Sequence, residues 1–348
     1  MKDFEADYFS NVYDAPSELV EIKDSSVQTH IENFYPSVGK VKGIFSYGSL
    51  DINSRNMKVV TEAGSFTLKF WENTSLKRLD EIIKILLYLG NQKIRTPTPI
   101  KNCNHEYFSR TQKQMTTLFY YLDGELYRPT PDNLADFFEA TGQLFSILAE
   151  IPTIKNLSTS YTATPHETQK SIRHSLKNNR LWVELDLVEF QESLISMWPS
   201  INKDLDSFTR LNRSSKLQYS HYDLHPKNIL FDRNHGFGFL DFASCAISNP
   251  NVAWGFLLTK NLRQVVVNNN KNDSAKLLSL RAFSDLQKIS YAQNLDTLNL
   301  PIYGRYEIAK RLASILDEYT NFGTKVWISM LPIQIQLLRE SYLMFGDV

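Results

Sequence analysis

The hydrophobic pattern changes period partway along the chain. Between about Val41 and Leu122 apolar residues fall in short runs of the kind strands show. Met57-Lys58-Val59-Val60-Thr61 and Ser65-Phe66-Thr67-Leu68-Lys69-Phe70-Trp71, joined by Glu62-Ala63-Gly64, read as a hairpin. From Ser75 to Leu89 the spacing of Leu79, Ile82, Ile83, Leu86 and Leu89 predicts a helix, with Gly90 as its stop. Thr96-Pro97-Thr98-Pro99 predicts an extended segment, because each proline pushes its predecessor out of the helical region. Gln114 to Leu122 reads as a further strand, ending at the turn Asp123-Gly124. Beyond it the period becomes mostly helical, over Asn133 to Leu148, Trp182 to Met197, Ala275 to Gln293 and Tyr306 to Thr320. The exception is Leu217 to Phe242. There Asn228-Ile229-Leu230-Phe231 and Phe237-Gly238-Phe239-Leu240 flank the turn Asp232-Arg233-Asn234-His235-Gly236.

The order of elements implies an α+β, two-lobed, protein-kinase-like fold. A small β-rich N-terminal lobe (1–122) precedes a larger, mainly helical C-terminal lobe (123–348) that carries one internal hairpin. The length of 348 residues agrees, being too great for one ordinary core. No internal repeat is visible.

Composition narrows the function classes. With 38 basic and 38 acidic residues, the chain lacks the excess of positive charge expected of a nucleic-acid binder. Cys103 and Cys245 have neither metal-ligand nor redox spacing, which points to a reducing compartment. The start Met1-Lys2-Asp3-Phe4-Glu5 lacks the features of a signal peptide, and the apolar run Ile82 to Leu89 is broken by Lys84. A cytoplasmic protein without membrane or nucleic-acid partners is the expectation.

The polar residues around the internal hairpin carry the chemistry. Phosphoryl transfer needs a carboxylate at the accepting hydroxyl, oxygen ligands for magnesium and a cation on the phosphates. Asp223 suits the first role, and the side-chain oxygen of Asn228 together with Asp241 suits the second. His221 would shape the catalytic loop by hydrogen-bonding backbone. The run His221-Tyr222-Asp223-Leu224-His225-Pro226-Lys227-Asn228, then Leu240-Asp241-Phe242, resembles the catalytic motif of the aminoglycoside phosphotransferases and choline kinases. The resemblance spans roughly Val41 to Asn251. It implies an ATP- and magnesium-dependent kinase that phosphorylates a small hydroxylated molecule, with Asp223 as base and Asn228 and Asp241 on magnesium.

The N-terminal lobe supplies the other expected parts. Lys69 stands in an apolar strand, where an uncompensated charge is costly, and is the candidate for the α/β-phosphates. Glu81 is its expected partner, with Asp80 second. The stretch Leu118-Phe119-Tyr120-Tyr121-Leu122-Asp123-Gly124 resembles the family's interlobe hinge, which implies that backbone groups of Tyr120 and Leu122 bind the adenine edge and that Phe119 lines the pocket. Tyr47 to Asn56 occupies the place of the phosphate-covering loop but contains one glycine. The family's Gly-Asp-Pro-x-x-Asp run stands here as Ser248-Asn249-Pro250-Asn251-Val252-Ala253, so alanine replaces the loop-bracing Asp and other support is required.

The acceptor is open between an amino alcohol, a sugar, a hydroxy amino acid and an aminoglycoside. Glu184, Asp186, Glu189, Glu192, Asp317, Glu318 and Glu340 are candidates to attract a cation, against their reading as a solvated helix face. Trp182, Trp198, Trp254 and Trp327 are candidates for a quaternary-ammonium cage, against core packing. Two rival functions are a catalytically silent nucleotide-binding scaffold and a protein kinase. Leu224-His225-Pro226 and the lack of an Ala-Pro-Glu segment disfavour the latter.

Overall fold

The computed structural model describes residues 19–47, 54–72, 74–111, 114–152, 163–214, 216–268 and 275–346. The chain forms two compact units. One takes the described residues up to Glu125 together with Leu230–Ala243; the other takes Leu126–Ile229 and the described residues from Ser244 onward. Residues 230–243, grouped with the helical lobe in the sequence reading, thus belong to the strand-rich unit.

In the first unit, strands β1 (Val20–Ile22), β2 (Val41–Ser46), β3 (Ser54–Thr61), β4 (Gly64–Trp71), β5 (Ser109–Arg110) and β6 (Met115–Tyr120) form one antiparallel sheet of order β1-β2-β3-β4-β6-β5. The alternation of β4 decides its two faces. Phe66, Leu68 and Phe70 join Met57, Val59 and Leu118 in a core that includes Val27 and Ile31 of helix α1 (Ser25–Phe34). Thr67, Lys69 and Trp71 take the opposite face. Asp24 starts α1 by accepting from the Ser26 and Val27 amides.

Helix α2 (Leu76–Asn91) begins at Ser75, whose hydroxyl accepts from the Arg78 N–H. Its end differs from expectation, because Gly90 lies inside the last turn. Lys93 takes the left-handed position with φ of 62°, and the Ile94 and Lys93 amides close on Leu89 and Gly90 carbonyls. The proline segment is extended as expected. Thr98 and Ile100 exchange backbone hydrogen bonds with Tyr120 and Leu118 of β6.

The second unit is mostly helical. Its helices are α3 (Leu134–Glu150), α4 (Pro165–Leu176), α5 (Asn179–Glu184), α6 (Val188–Leu211), α7 (Pro250–Asn268), α8 (Ala275–Lys288), α9 (Leu300–Phe322) and α10 (Leu331–Phe345). The expected helix over Trp182 to Met197 is two helices, parted where Asp186 adopts φ of 56°. Helix α7 escaped sequence reading because it is buried on nearly every side and so has no amphipathic stripe. Among the described residues, no helix is long and apolar enough to cross a membrane.

Helices α7 and α9 cross with backbones in contact. A Cβ on Gly255 would meet Gly304 N at 2.5 Å and also the Leu300 carbonyl, and one on Gly304 would meet the Gly255 carbonyl at 2.5 Å. Neither position tolerates a side chain without separating the helices. Gly255→Ala is therefore expected to cost about 1–3 kcal/mol. Gly90→Ala, whose Cβ would meet only Thr98 Oγ1 at 4.0 Å, should be neutral or stabilise by up to about 1 kcal/mol. Thermal melting of both variants checks this, and an unchanged Gly255→Ala melt would refute the crossing.

Candidate active site

In the strand-rich unit, Lys69 Nζ lies 2.8 Å from Asp241 Oδ1 and 4.8 Å from the Trp71 ring centroid. The Asp241 carboxylate thus compensates a lysine that is 8% exposed. Asp241 holds φ of 55°, a left-handed conformation that costs energy for a residue with a side chain and is typical of functional positions.

Arg95 and Gly238 help deliver Asp241 to this place. Strands β9 (Ile229–Asp232) and β10 (Gly236–Phe239) form the expected hairpin. Arg95 donates to the Gly236 and Asp123 carbonyls, and its own carbonyl accepts from the Phe239 N–H at 2.9 Å. Gly238 lies against Leu122, where a Cβ would come within 2.9 Å of Leu122 Cδ2. The hairpin is thereby pinned to the segment after β6. The sequence analysis passed over Arg95; its signal was a long cation just before an extended proline segment.

One expectation for this unit needs correction. Glu81 does not pair with Lys69: it is buried at 3% exposure and binds Arg78 at 2.6 Å, while Asp80 pairs with Lys84 on the surface. Spacing three residues apart on one helix turn brings Arg78 and Glu81 together, and Arg78 also donates to the Ala243 carbonyl. Glu81 therefore acts on the segment after Asp241 through Arg78. Of the Tyr120 backbone groups expected at an adenine edge, the N–H is already committed, donating to the Thr98 carbonyl at 3.0 Å. The backbone of Leu122 has no hydrogen-bond partner among the described residues. Phe119 is buried and paired opposite Thr67, on the Lys69 face of the sheet. Of the phosphate-covering loop, residues 48–53 lie outside the described residues; Asn56 is in β3 opposite Lys69.

In the helical unit, β8 (Gln218–His221) pairs with β11 (Cys245–Ser248) and ends at the catalytic-motif loop. His221 is fully buried, and its Nδ1 accepts from the Asp223 N–H at 3.2 Å. The imidazole thus contacts the loop through its backbone. The Asp223 carbonyl accepts from the His225 N–H at 2.9 Å and from Asn228 Nδ2 at 2.9 Å. Asn228 Nδ2 is also 3.3 Å from His225 Nε2. These contacts orient the Asn228 amide by its nitrogen and leave its Oδ1 without a partner among the described residues.

Arg311 of α9 provides the support that Ala253 cannot. Ala253 is buried in the first turn of α7. The Arg311 guanidinium reaches Asp223 Oδ1 at 3.1 Å, the Tyr222 carbonyl at 3.0 Å and Glu307 Oε1 at 3.0 Å. Burial alone would raise the Asp223 carboxyl pKa; Arg311, then His225 and Lys260, outweigh it and hold the group well below the ordinary value. Sequence reasoning missed Arg311. Its signal was a cation in an apolar helical run, which requires an internal partner.

The proposed substrate features of this unit fare differently. Trp182 and Trp254 are fully buried in the core, so neither can line a cage for a cation. Glu340 is also fully buried, against Arg263. Glu184 pairs with Arg180 on the surface, and Asp317 accepts from Ser171.

The strand-rich unit with its Lys–Asp pair and the helical unit with its His-x-Asp loop define a protein-kinase-like phosphotransferase. The profile of the phosphotransferase enzyme family matches residues 49–252, and the chain belongs to that family, kinases that act on small-molecule hydroxyls. Solved structures share the fold at low identity. A spectinomycin phosphotransferase bound to ADP and spectinomycin superposes with a TM-score of 0.64 at 11% identity, over 94% of this chain and 98% of its own. An amicoumacin kinase with AMP-PNP and calcium gives 0.63 at 12%, over 90% and 93%. A choline kinase from Streptococcus pneumoniae gives 0.53 at 11%, over 91% and 98%. A search of curated proteins returns no sequence match.

Removing the guanidinium should release Asp223 to the effect of burial. In Arg311→Met the folded-state pKa of Asp223 rises. A depressed carboxyl contributes stability above its unfolded value, about 3.9, and loses it as pH falls through the folded value. The deficit in urea midpoint should therefore be full near neutrality and shrink below about pH 4. An equal deficit at pH 7 and pH 3 would instead assign the loss to packing on Phe256.

Proposed function

We propose that this chain transfers the γ-phosphate of ATP to a hydroxyl of a small molecule, in a magnesium-dependent reaction with Asp223 as the base. The observation that carries this reading is the ordered His221–Asn228 loop, in which Asp223 is held ionised and Asn228 presents an uncommitted oxygen. That oxygen and the Asp241 carboxylate are hard donors of the type magnesium prefers. When bound, the ion neutralises charge developing on the phosphate oxygens.

The residues of the chain have separable tasks. Asp223, with its depressed pKa, is a weak base; it orients the acceptor O–H and takes the proton as the new P–O bond forms. Arg311 and His221 keep that carboxylate in place. Lys69 supplies the cation for the nucleotide phosphates, Asp241 fixes Lys69, and the Leu122 backbone is available for the adenine edge, with Phe119 lining its pocket. Nucleotides in the spectinomycin and amicoumacin kinases support a nucleotide donor here. Cys103 and Cys245 are free thiols, in keeping with a cytoplasmic enzyme.

Asp223→Asn should lower substrate-dependent ADP release about 10²–10⁴-fold while calorimetry still detects magnesium-ATP binding. Lys69→Met should weaken that binding. Wild-type protein that binds nucleotide but turns over no alcohol would favour the silent scaffold, for which Ala253 is the structural argument. Wild-type protein that binds no nucleotide would remove the kinase reading.

A further inference from the structure

Lys260 is a charge that the catalytic assignment leaves without a task. Every residue of α7 from Pro250 to Val267 is buried except Lys260, which is only partly so. It forms no hydrogen bond or salt bridge with any described residue. Its ammonium lies 4.8 Å from the Phe256 ring centroid, and the Arg311 guanidinium lies 4.2 Å from the same ring. Two cations therefore flank one ring, and one of them holds Asp223. The Asn261 side chain, next to Lys260 on α7, reaches the Leu224 carbonyl at 3.5 Å, which sets this part of the helix against the catalytic loop.

The nearby negative charge is already matched. Glu307 has a side chain 1% exposed and divides its oxygens between Lys310 and Arg311. Glu340 is fully enclosed with Arg263. Of these carboxylates only Asp223, with its side chain 24% exposed, is open to a substrate, and Arg311 already binds it. Burial pushes the Lys260 amine down to about 8; Asp223 opposes this, and Arg311, Arg263 and Lys227 add to the depression. An anion placed on Lys260 would relieve that crowding, whereas a cationic ligand would increase it.

Resting on the phosphotransferase reading above, we propose that the acceptor is an anionic hydroxy compound, its carboxylate or equivalent anion on Lys260 and its hydroxyl at Asp223. This is opposite in sign to an acceptor held by acidic residues or an aromatic cage.

The test is ADP release from magnesium-ATP with acceptors matched in size and opposite in charge. 4-Hydroxybutyrate and D-glycerate are set against 4-aminobutanol and choline, with glycerol as the neutral case. An anionic member should exceed its cationic match by about tenfold or more in kcat/KM, the effect of one charge-assisted contact. In Lys260→Met the KM for that acceptor should rise by a similar factor with the KM for ATP unchanged, and Lys260→Arg should recover most of the loss. Preference for a cationic or neutral acceptor overturns the proposal and leaves the kinase reading intact. So does a Lys260→Met effect confined to ATP, which would give Lys260 to the nucleotide phosphates. Nucleotide binding without turnover of any anionic member also overturns it. The acceptor panel decides the sign of charge on wild-type protein alone, whether or not the variants fold.

Discussion

Gly255 and Gly304 face each other across α7 and α9 with no room for a Cβ, and the catalytic loop is supported from this crossing. Phe256 and Lys260 follow from one helix and Glu307, Lys310 and Arg311 from the other. Because the backbones touch, the Arg311 guanidinium can lie on the Phe256 ring and still reach Asp223. A wider crossing would take from Asp223 the largest of the charges that oppose its burial, and a buried carboxyl so weakened in support titrates at higher pH. The close approach at the two glycines thus helps Arg311 hold the Asp223 carboxyl below its ordinary value.

The strand-rich unit depends on a comparable internal compensation. Lys69 is tolerated in the middle of an apolar strand because Asp241 meets it, and Asp241 arrives there on a hairpin contributed by a distant part of the sequence. Arg95 binds the hairpin through backbone carbonyls, and Gly238 allows the close approach to Leu122. Arg78 links buried Glu81 to the Ala243 carbonyl just beyond. Each of these cations has at least one partner far from it in sequence, which its neighbours do not reveal.

Much of the fold was legible in the periodicity. The β3–β4 hairpin, α2, β6, α3 and the β9–β10 hairpin stand close to where short apolar runs, turn residues and helical spacing predict them. Helix α7 was not legible because it is buried nearly all round, polar residues included, and carries no amphipathic period. In the site, Asp223, Asn228, Asp241 and Lys69 were named from residue type and order. The Lys69–Glu81 pair is not formed, because a nearer partner, Arg78, already satisfies Glu81.

The sequence by itself determined the class of chemistry, because a His-x-Asp loop followed by Asn and a hairpin-borne Asp stand in a fixed order within a short stretch of chain. It also determined the change from strand to helix, which is a property of local period. Tertiary structure alone decided which cation holds Asp223, what supports the loop with alanine at position 253, and that Lys260 makes no ion pair with a described residue. Those outcomes depend on the distance between helix axes and on the burial of charges brought together from separate segments, quantities that no local pattern encodes.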